Sequence, residues 1–195
     1  DEARFHMIDA LQNYGIHGIK NNISYLLAIV QNENFINNTI STRYCTEHSD
    51  TLLKAIDDER NSVPKILPLV VAIVSKPETV KSLSNEQDHA VNIWNTIGFW
   101  RILMQPELEM EETVSRFQVN DLKPNQLSAF FEGQKVEIRF EETKPSQKIE
   151  IQLNGELYTA FVSHPEPGRI IVSYNTHAFE VRRKDVLEAQ PDFAH

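Results

Sequence analysis

The stretch ILPLVVAIV at residues 66–74 decides the fold, because every residue in it is apolar. A helix at a protein surface keeps one polar face, so a helix that is apolar on all sides has to be covered on all sides. Nine residues are also too few to cross a bilayer, which needs about 18 or more. We therefore predict a buried helix at residues 66–74, surrounded by elements from elsewhere in the chain.

Downstream of residue 98 the apolar period changes to two, which is typical of half-buried strands. Val136, Ile138 and Phe140, for example, alternate with Glu137 and Arg139. We predict about eight short strands, at residues 100–104, 113–119, 126–132, 136–140, 149–153, 157–162, 170–174 and 179–181. Short strands at this spacing, with turn residues such as Asn154-Gly155 between them, indicate an antiparallel barrel or sandwich.

Upstream of the apolar stretch the sequence predicts helices. Phe5, Ile8, Leu11 and Tyr14 recur at a spacing that places them on one helix face, and a second helix is expected to run from residue 21 or 22 to residue 32. The charged run at residues 57–62 predicts either a linker or the charged end of a helix at the surface. We adopt the linker, which divides the chain into residues 1–56, a linker at 57–63 and a barrel domain at 64–195.

The composition favours an ordinary globular protein and argues against several classes of function. The 195 residues carry a formal net charge of −9, and no basic region is available for nucleic acid. Cys45 is the one cysteine, so no internal disulfide can form, and no signal peptide is evident. We expect a cytoplasmic protein without a membrane or nucleic-acid partner, and we expect this sequence to be a piece of a longer chain.

The residue patterns that carry common chemistries are missing. The sequence has no glycine-rich phosphate loop, no HExxH motif and no GxSxG motif. Cys45 is expected to be buried on a short strand at residues 40–45 rather than to act as a nucleophile. The acidic cluster of Glu107, Glu109, Glu111 and Glu112 could hold a catalytic carboxylate pair, but a solvated loop or strand face is favoured. The basic run of Arg182, Arg183 and Lys184 is interpreted as a strand end that faces water or contacts acidic groups nearby. We therefore predict no catalytic, cofactor-binding or metal-binding residue in this chain.

Two segments resemble parts of a known family. The residues that carry the first likeness are Met7, Ala10, Leu11, Tyr14, Ile16, Gly18, Ile19, Asn22, Ile23 and Leu26, followed by Phe35 and Thr42. In their spacing, residues 1 to about 50 resemble the closing segment of biotin carboxylase domains, above all in α subunits of biotin-dependent acyl-CoA carboxylases. Trp94-(x)3-Gly98-Phe99-Trp100-Arg101 resembles a short signature of the linking domain, the BT domain, of methylcrotonyl-type subunits.

The resemblance implies a fold and an assembly role. The expected class is α+β: a small helical N-terminal segment, then an eight-stranded antiparallel barrel around a central apolar helix. In such enzymes ATP, Mg²⁺ and bicarbonate carboxylate biotin, and the linking domain holds the α subunit on a carboxyltransferase β subunit. The loop at about residues 76–98 would contact that subunit, and the biotin carboxylase and biotin carrier domains belong to the same chain. The parent is a ligase, whereas this piece is expected to be inactive and to hold no cofactor.

The aromatic cluster near residue 100 is the predicted interface. Clustered aromatic residues are most often core, but tryptophan is also a common anchor at interfaces. The predicted interface residues are Ile93, Trp94, Ile97, Phe99, Trp100 and Arg101. The alternative is a purely structural role, in which Trp94 and Trp100 pack into one end of the barrel. A different class of function also stays open, namely a small-molecule-binding or hydrolytic β-barrel protein with a helical extension.

Overall fold

The computed structural model describes residues 2–17, 19–75, 105–123, 125–143 and 148–184. The helices are α1 (Glu2–Gln12), α2 (Ile23–Gln31), α3 (Glu33–Ile36), α4 (Tyr44–Glu47), α5 (Ser49–Ser62) and α6 (Ile66–Val74). The strands are β1 (Glu107–Met110), β2 (Thr113–Lys123), β3 (Gln126–Phe131), β4 (Gln134–Thr143), β5 (Lys148–Leu153), β6 (Glu156–Glu166), β7 (Arg169–Tyr174) and β8 (His177–Arg183). The predicted order of a small helical part followed by an antiparallel barrel is confirmed.

The eight strands form a closed barrel in which each strand pairs with its neighbours in the chain and β8 returns to β1. All of these pairings are antiparallel, so the barrel is an up-and-down meander. The predicted strand at residues 100–104 lies outside the described residues. β1 instead falls in the acidic cluster, where buried Leu108 and Met110 alternate with half-buried Glu107 and Glu109.

Four two-residue turns join the strands at one end of the barrel, which we call the turn end. They are Glu111-Glu112, Glu132-Gly133, Asn154-Gly155 and Asn175-Thr176. Both residues of each turn have positive φ, the geometry that a two-residue hairpin turn needs to match the twist of its strands. Asn and Gly adopt positive φ at little cost, but Glu112, at φ 64°, does not.

The barrel and α6 share one apolar core. Residues 67–74 of α6 are all buried, and all of them except Pro68 form a single cluster with inward-facing residues from all eight strands. Within the described residues α6 packs mainly against β7 and β8, and also against β5 and β6. These contacts bury the helix, as its sequence requires, but they do not confirm that it occupies the centre of the barrel, which stays a prediction.

The helical part has a thinner core of its own. Ile23, Leu27 and Val30 of α2 are buried together with Leu52 of α5 and Tyr44 of α4. Residues 57–62 form the last turns of α5, which is the conformation that the helix-end alternative predicts. Among the helices of the described residues, none has the length and apolar character of a membrane-crossing segment.

Our expectation for Cys45 is wrong. Cys45 is exposed and lies in α4, not on a strand. The single turn of α4 directs the ring of Tyr44 inward, where it is 3% exposed, so the next residue along the chain faces solvent.

Replacing Glu112 with glycine should stabilise the protein. Glycine removes the steric cost of positive φ, and we expect the free energy of unfolding to rise by about 0.5–1 kcal/mol after the entropic cost of glycine is subtracted. Urea unfolding measures the change. Gln152→Gly is the control, because Gln152 lies on the exposed face of β5, where glycine should lower stability by a similar amount. Destabilisation by Glu112→Gly would contradict the turn geometry.

Candidate functional site

The predicted interface residues Ile93, Trp94, Ile97, Phe99, Trp100 and Arg101 all lie outside the described residues. What the described residues bring together is a different site, where the helical part meets the turn end of the barrel. We call it the junction. It consists of Ser24 of α2 and Glu59 and Arg60 of α5, facing Glu111 and residues 175–179 of the barrel.

Arg60 makes contacts in three directions within the junction. Its Nη1 donates to the carbonyl oxygen of Ala178 at 2.9 Å, and its Nη2 donates to Oε1 of Glu111 at 2.8 Å. The guanidinium also lies over the ring of Phe179, 4.5 Å from the ring centre. A planar group with five donors can satisfy a carbonyl and a carboxylate while it stacks on an aromatic ring, which lysine cannot do.

Glu59, the neighbour of Arg60, holds the turn between β7 and β8. Asn175 donates its side-chain amide to Oε1 of Glu59, and Nε2 of His177 lies 3.6 Å from Oε2 of the same carboxylate. That separation is too long for a hydrogen bond, although it allows an ion pair when the imidazole is protonated. The His177 side chain is 4% exposed, and its Nε2 has no hydrogen-bond partner among the described residues. Glu59 therefore supplies the charge that faces a buried ring.

Two further contacts seat the helical part on the barrel. Ser24 donates to the carbonyl oxygen of Thr176 at 3.2 Å, and the Thr176 hydroxyl donates back to Oγ of Ser24 at 3.0 Å. Gly15 approaches the outer face of β6 so closely that a Cβ atom there would lie 2.6 Å from Cγ of Phe161. The absence of a side chain at Gly15 is thus what allows this approach.

Charge and burial shift the titration of groups beside the junction. The hydrogen bond that Tyr158 donates to Glu156, together with burial, raises the pKa of Tyr158 to about 12. Burial also raises the pKa of Tyr174, and the negative charges of Glu156 and Glu59 add to the effect. On the helical side, burial lowers the pKa of His17. On the barrel side of the junction, Tyr158 and Tyr174 therefore keep their protons to a higher pH than an ordinary tyrosine does.

One serine–histidine contact lies away from the junction. Oγ of Ser75, just after α6, lies 3.1 Å from Nε2 of His164 on β6. The same hydroxyl is 3.2 Å from the carbonyl oxygen of Ala72, which can only accept. When the hydroxyl donates to Ala72, the imidazole has to donate to Oγ and cannot act as its base. Ser75 is also 5% exposed, so the geometry fits a tie between α6 and β6 better than a nucleophile.

The described residues offer no metal centre: no group of three or more His, Cys, Asp or Glu side chains among them is arranged to hold an ion. Three glutamates of the acidic cluster form ion pairs, Glu107 with Arg116, Glu109 with Lys184 and Glu111 with Arg60. The first two pairs lie on the barrel surface, and the third joins the barrel to α5.

Sequence reasoning missed the junction. Glu59 and Arg60 sit in a charged run without apolar residues, and Asn175-Thr176 lacks the glycine that marks a common hairpin turn. The one usable signal was the alternative that residues 57–62 end a helix, because a helix end placed before a buried helix has to lie near the barrel.

Comparisons of the sequence with protein-family models and with curated proteins found no significant match.

Gly15→Ala should destabilise the contact between the helical part and β6. The added methyl group collides with the near end of the Phe161 side chain, which cannot move aside without shifting the backbone, and we expect a loss of about 1–3 kcal/mol in urea unfolding. Phe161→Ala removes the obstacle, so in that background Gly15→Ala should cost much less. Equal costs in both backgrounds would show that Phe161 is not the limiting contact.

The raised pKa of Tyr158 should make stability fall at alkaline pH. Because the folded state keeps this proton up to about pH 12 and the unfolded state releases it near pH 10, the contribution is complete below pH 10 and is lost as the pH rises toward 12. Urea unfolding across this range should show a smaller decline in Tyr158→Phe than in the wild type. Tyr14→Phe is the control, since the Tyr14 side chain is exposed, and it should decline as the wild type does.

Proposed function

We propose that the chain is a non-catalytic assembly segment from the α subunit of a biotin-dependent acyl-CoA carboxylase. In this proposal the parent is a cytoplasmic ligase that uses ATP, Mg²⁺ and bicarbonate to carboxylate biotin. The carboxyl group then passes to an acyl-CoA on a carboxyltransferase β subunit. The chain itself would hold the α and β subunits together and would neither turn over ATP nor accept biotin.

The observation that carries the proposal is the junction on a closed, apolar-filled barrel. Arg60, Glu59 and Ser24 bond to backbone and side-chain groups of the barrel, so the helical part is held in one orientation. The inward-facing side chains of the strands belong to an apolar core that they share with α6. A barrel with an apolar core and a helical unit fixed to its turn end suits a connector between larger units better than a binding chamber.

The surface of the helical part supports the same proposal. Phe5, Met7, Tyr14 and Ile19 are each at least half exposed, and α1 contributes no buried residue. Apolar side chains clustered in one short segment are typical of a surface that contacts more protein. In the proposal that protein is the remainder of the biotin carboxylase domain, with the biotin carrier domain elsewhere in the same chain.

The alternative of a hydrolytic or small-molecule-binding barrel has weaker support. Its best candidate is the contact between Ser75 and His164, but the serine is buried and its hydroxyl also serves the last turn of α6. The alternative further needs an internal cavity, and the barrel positions that would line one belong to the apolar core among the described residues.

The proposal predicts that the chain binds a carboxyltransferase β subunit and that Trp94→Ala weakens the binding about 30-fold. A buried tryptophan anchor at an interface is commonly worth about 2 kcal/mol or more. Isothermal titration with purified β subunits measures the affinity. Phe130→Ala is the matched control, because Phe130 is a partly exposed aromatic residue on the outer face of β3, and it should bind as the wild type does.

Two outcomes would contradict the proposal. One is that the wild-type chain binds none of the acetyl-, propionyl- and methylcrotonyl-type β subunits at concentrations of about 100 µM. The other is biotin-dependent ATP turnover by the chain alone, which would place catalytic residues in a segment where the proposal has none.

A further inference from the structure

Among the described strands, β1 and β8 share the shortest register, and we call this edge the seam. Their register has two paired positions, Leu108↔Arg183 and Glu109↔Arg182, whereas every other neighbouring pair of strands has at least four. Residues 177–181 of β8 have no registered partner on β1. The end of β8 is tied to β1, also by the Lys184 amide that donates to the carbonyl oxygen of Glu107, whereas residues 177–181 lack a strand partner on that side in this register.

Arg60 of α5 spans this seam. One guanidinium nitrogen donates to the carbonyl oxygen of Ala178, in the part of β8 that has no registered partner on β1. Another donates to Glu111 in the turn that follows β1. The stacking on Phe179 fixes the same group over β8. A single side chain thus joins both sides of the seam, and its backbone belongs to the helical part.

Glu59, the residue before Arg60 in α5, contacts a second place at the turn end of the barrel. Its carboxylate accepts the Asn175 amide beyond the start of β8, so two successive residues of α5 hold the barrel at three places: the β7–β8 turn, β8 itself and the β1–β2 turn. Any displacement of α5 has to break contacts on both sides of the seam together.

We propose that α5 is a strap that closes the barrel, with Arg60 as the positioning residue that couples the placement of the helical part to the opening of the β1–β8 seam. A contact that moves α5 would loosen residues 177–181 and β1 and leave the far side of the barrel closed. This coupling does not depend on which partner the chain binds, so it can hold or fail independently of the assembly role.

Hydrogen exchange on the whole chain tests the strap. In Arg60→Met, which keeps the length of the stem and removes the donors, backbone amides of β1 and of residues 177–181 should exchange at least about tenfold faster than in the wild type. The variant loses the bond to Ala178, the ion pair with Glu111 and the stacking on Phe179 at once, and the three losses together account for a change of that size. Amides of β3 and β4, on the other side of the barrel, should keep their wild-type rates.

Arg116→Met is the matched control. Arg116 also pairs with a glutamate of the same region, Glu107 on β1 at 2.6 Å, but its side chain is 78% exposed and it joins β2 to β1 rather than spanning the seam. We expect no selective change at the seam in this variant. Equal acceleration in both variants, or acceleration spread over all strands in Arg60→Met, would overturn the proposal.

A milder variant serves if Arg60→Met does not fold. Glu111→Gln keeps Arg60 and its bond to Ala178 and weakens the attachment to β1 alone. Exchange in β1 should then rise about threefold while β3 and β4 stay unchanged. Wild-type rates in β1 would show that Arg60 does not hold the seam.

Discussion

The continuous apolar core is the constraint on which the rest of the structure depends. A closed sheet of eight strands needs its interior filled, and a nine-residue apolar helix needs its surface covered. Residues of α6 and the inward faces of the strands share one apolar core, which covers the helix, and a helix at the centre, as we predict, would also fill the barrel. Because an empty interior would cost the dispersion contacts of every lining residue, neither the helix nor the sheet is expected to persist without the other.

The chemistry of the turn end follows from this arrangement. Because two-residue turns project little beyond the strands at the turn end, side chains of α2 and α5 can contact the backbone of the barrel directly. At the β7–β8 turn, Asn175 and Thr176 place polar side chains outward, and these are the groups that Glu59 and Ser24 meet. A longer loop there would hold the helical part away from the strands. The positive φ at Thr176 and Glu112 is the local cost of this closeness.

The parts of the fold that could be predicted are those with a strong periodic signal. Seven of the eight predicted strands coincide with strands of the barrel, because alternation of period two survives wherever one face is buried. The Asn154-Gly155 turn was predictable from its residue types, whereas Glu111-Glu112 was not, since glutamates seldom adopt positive φ. The charged end of α5 resembles a linker in sequence, because its polar residues hydrogen-bond to the barrel instead of burying apolar surface. Such bonds leave no hydrophobic periodicity in the sequence. The junction was unpredictable for the same reason, as it joins positions more than 100 residues apart.

A polar junction between the two parts has a physical consequence for a connector. Apolar contacts stabilise a helix on a sheet but constrain its orientation weakly, because burial of apolar surface depends little on direction. Hydrogen bonds and the planar Arg60 contacts depend on direction, so they select one orientation even though each adds little affinity at a partly exposed site. Orientation matters for a connector between catalytic units, because a tethered carrier can reach a second site only when its linker spans the distance to that site. In this chain apolar burial supplies stability, and a few directional bonds set the orientation of the helical part. This combination is consistent with the assembly role that we propose.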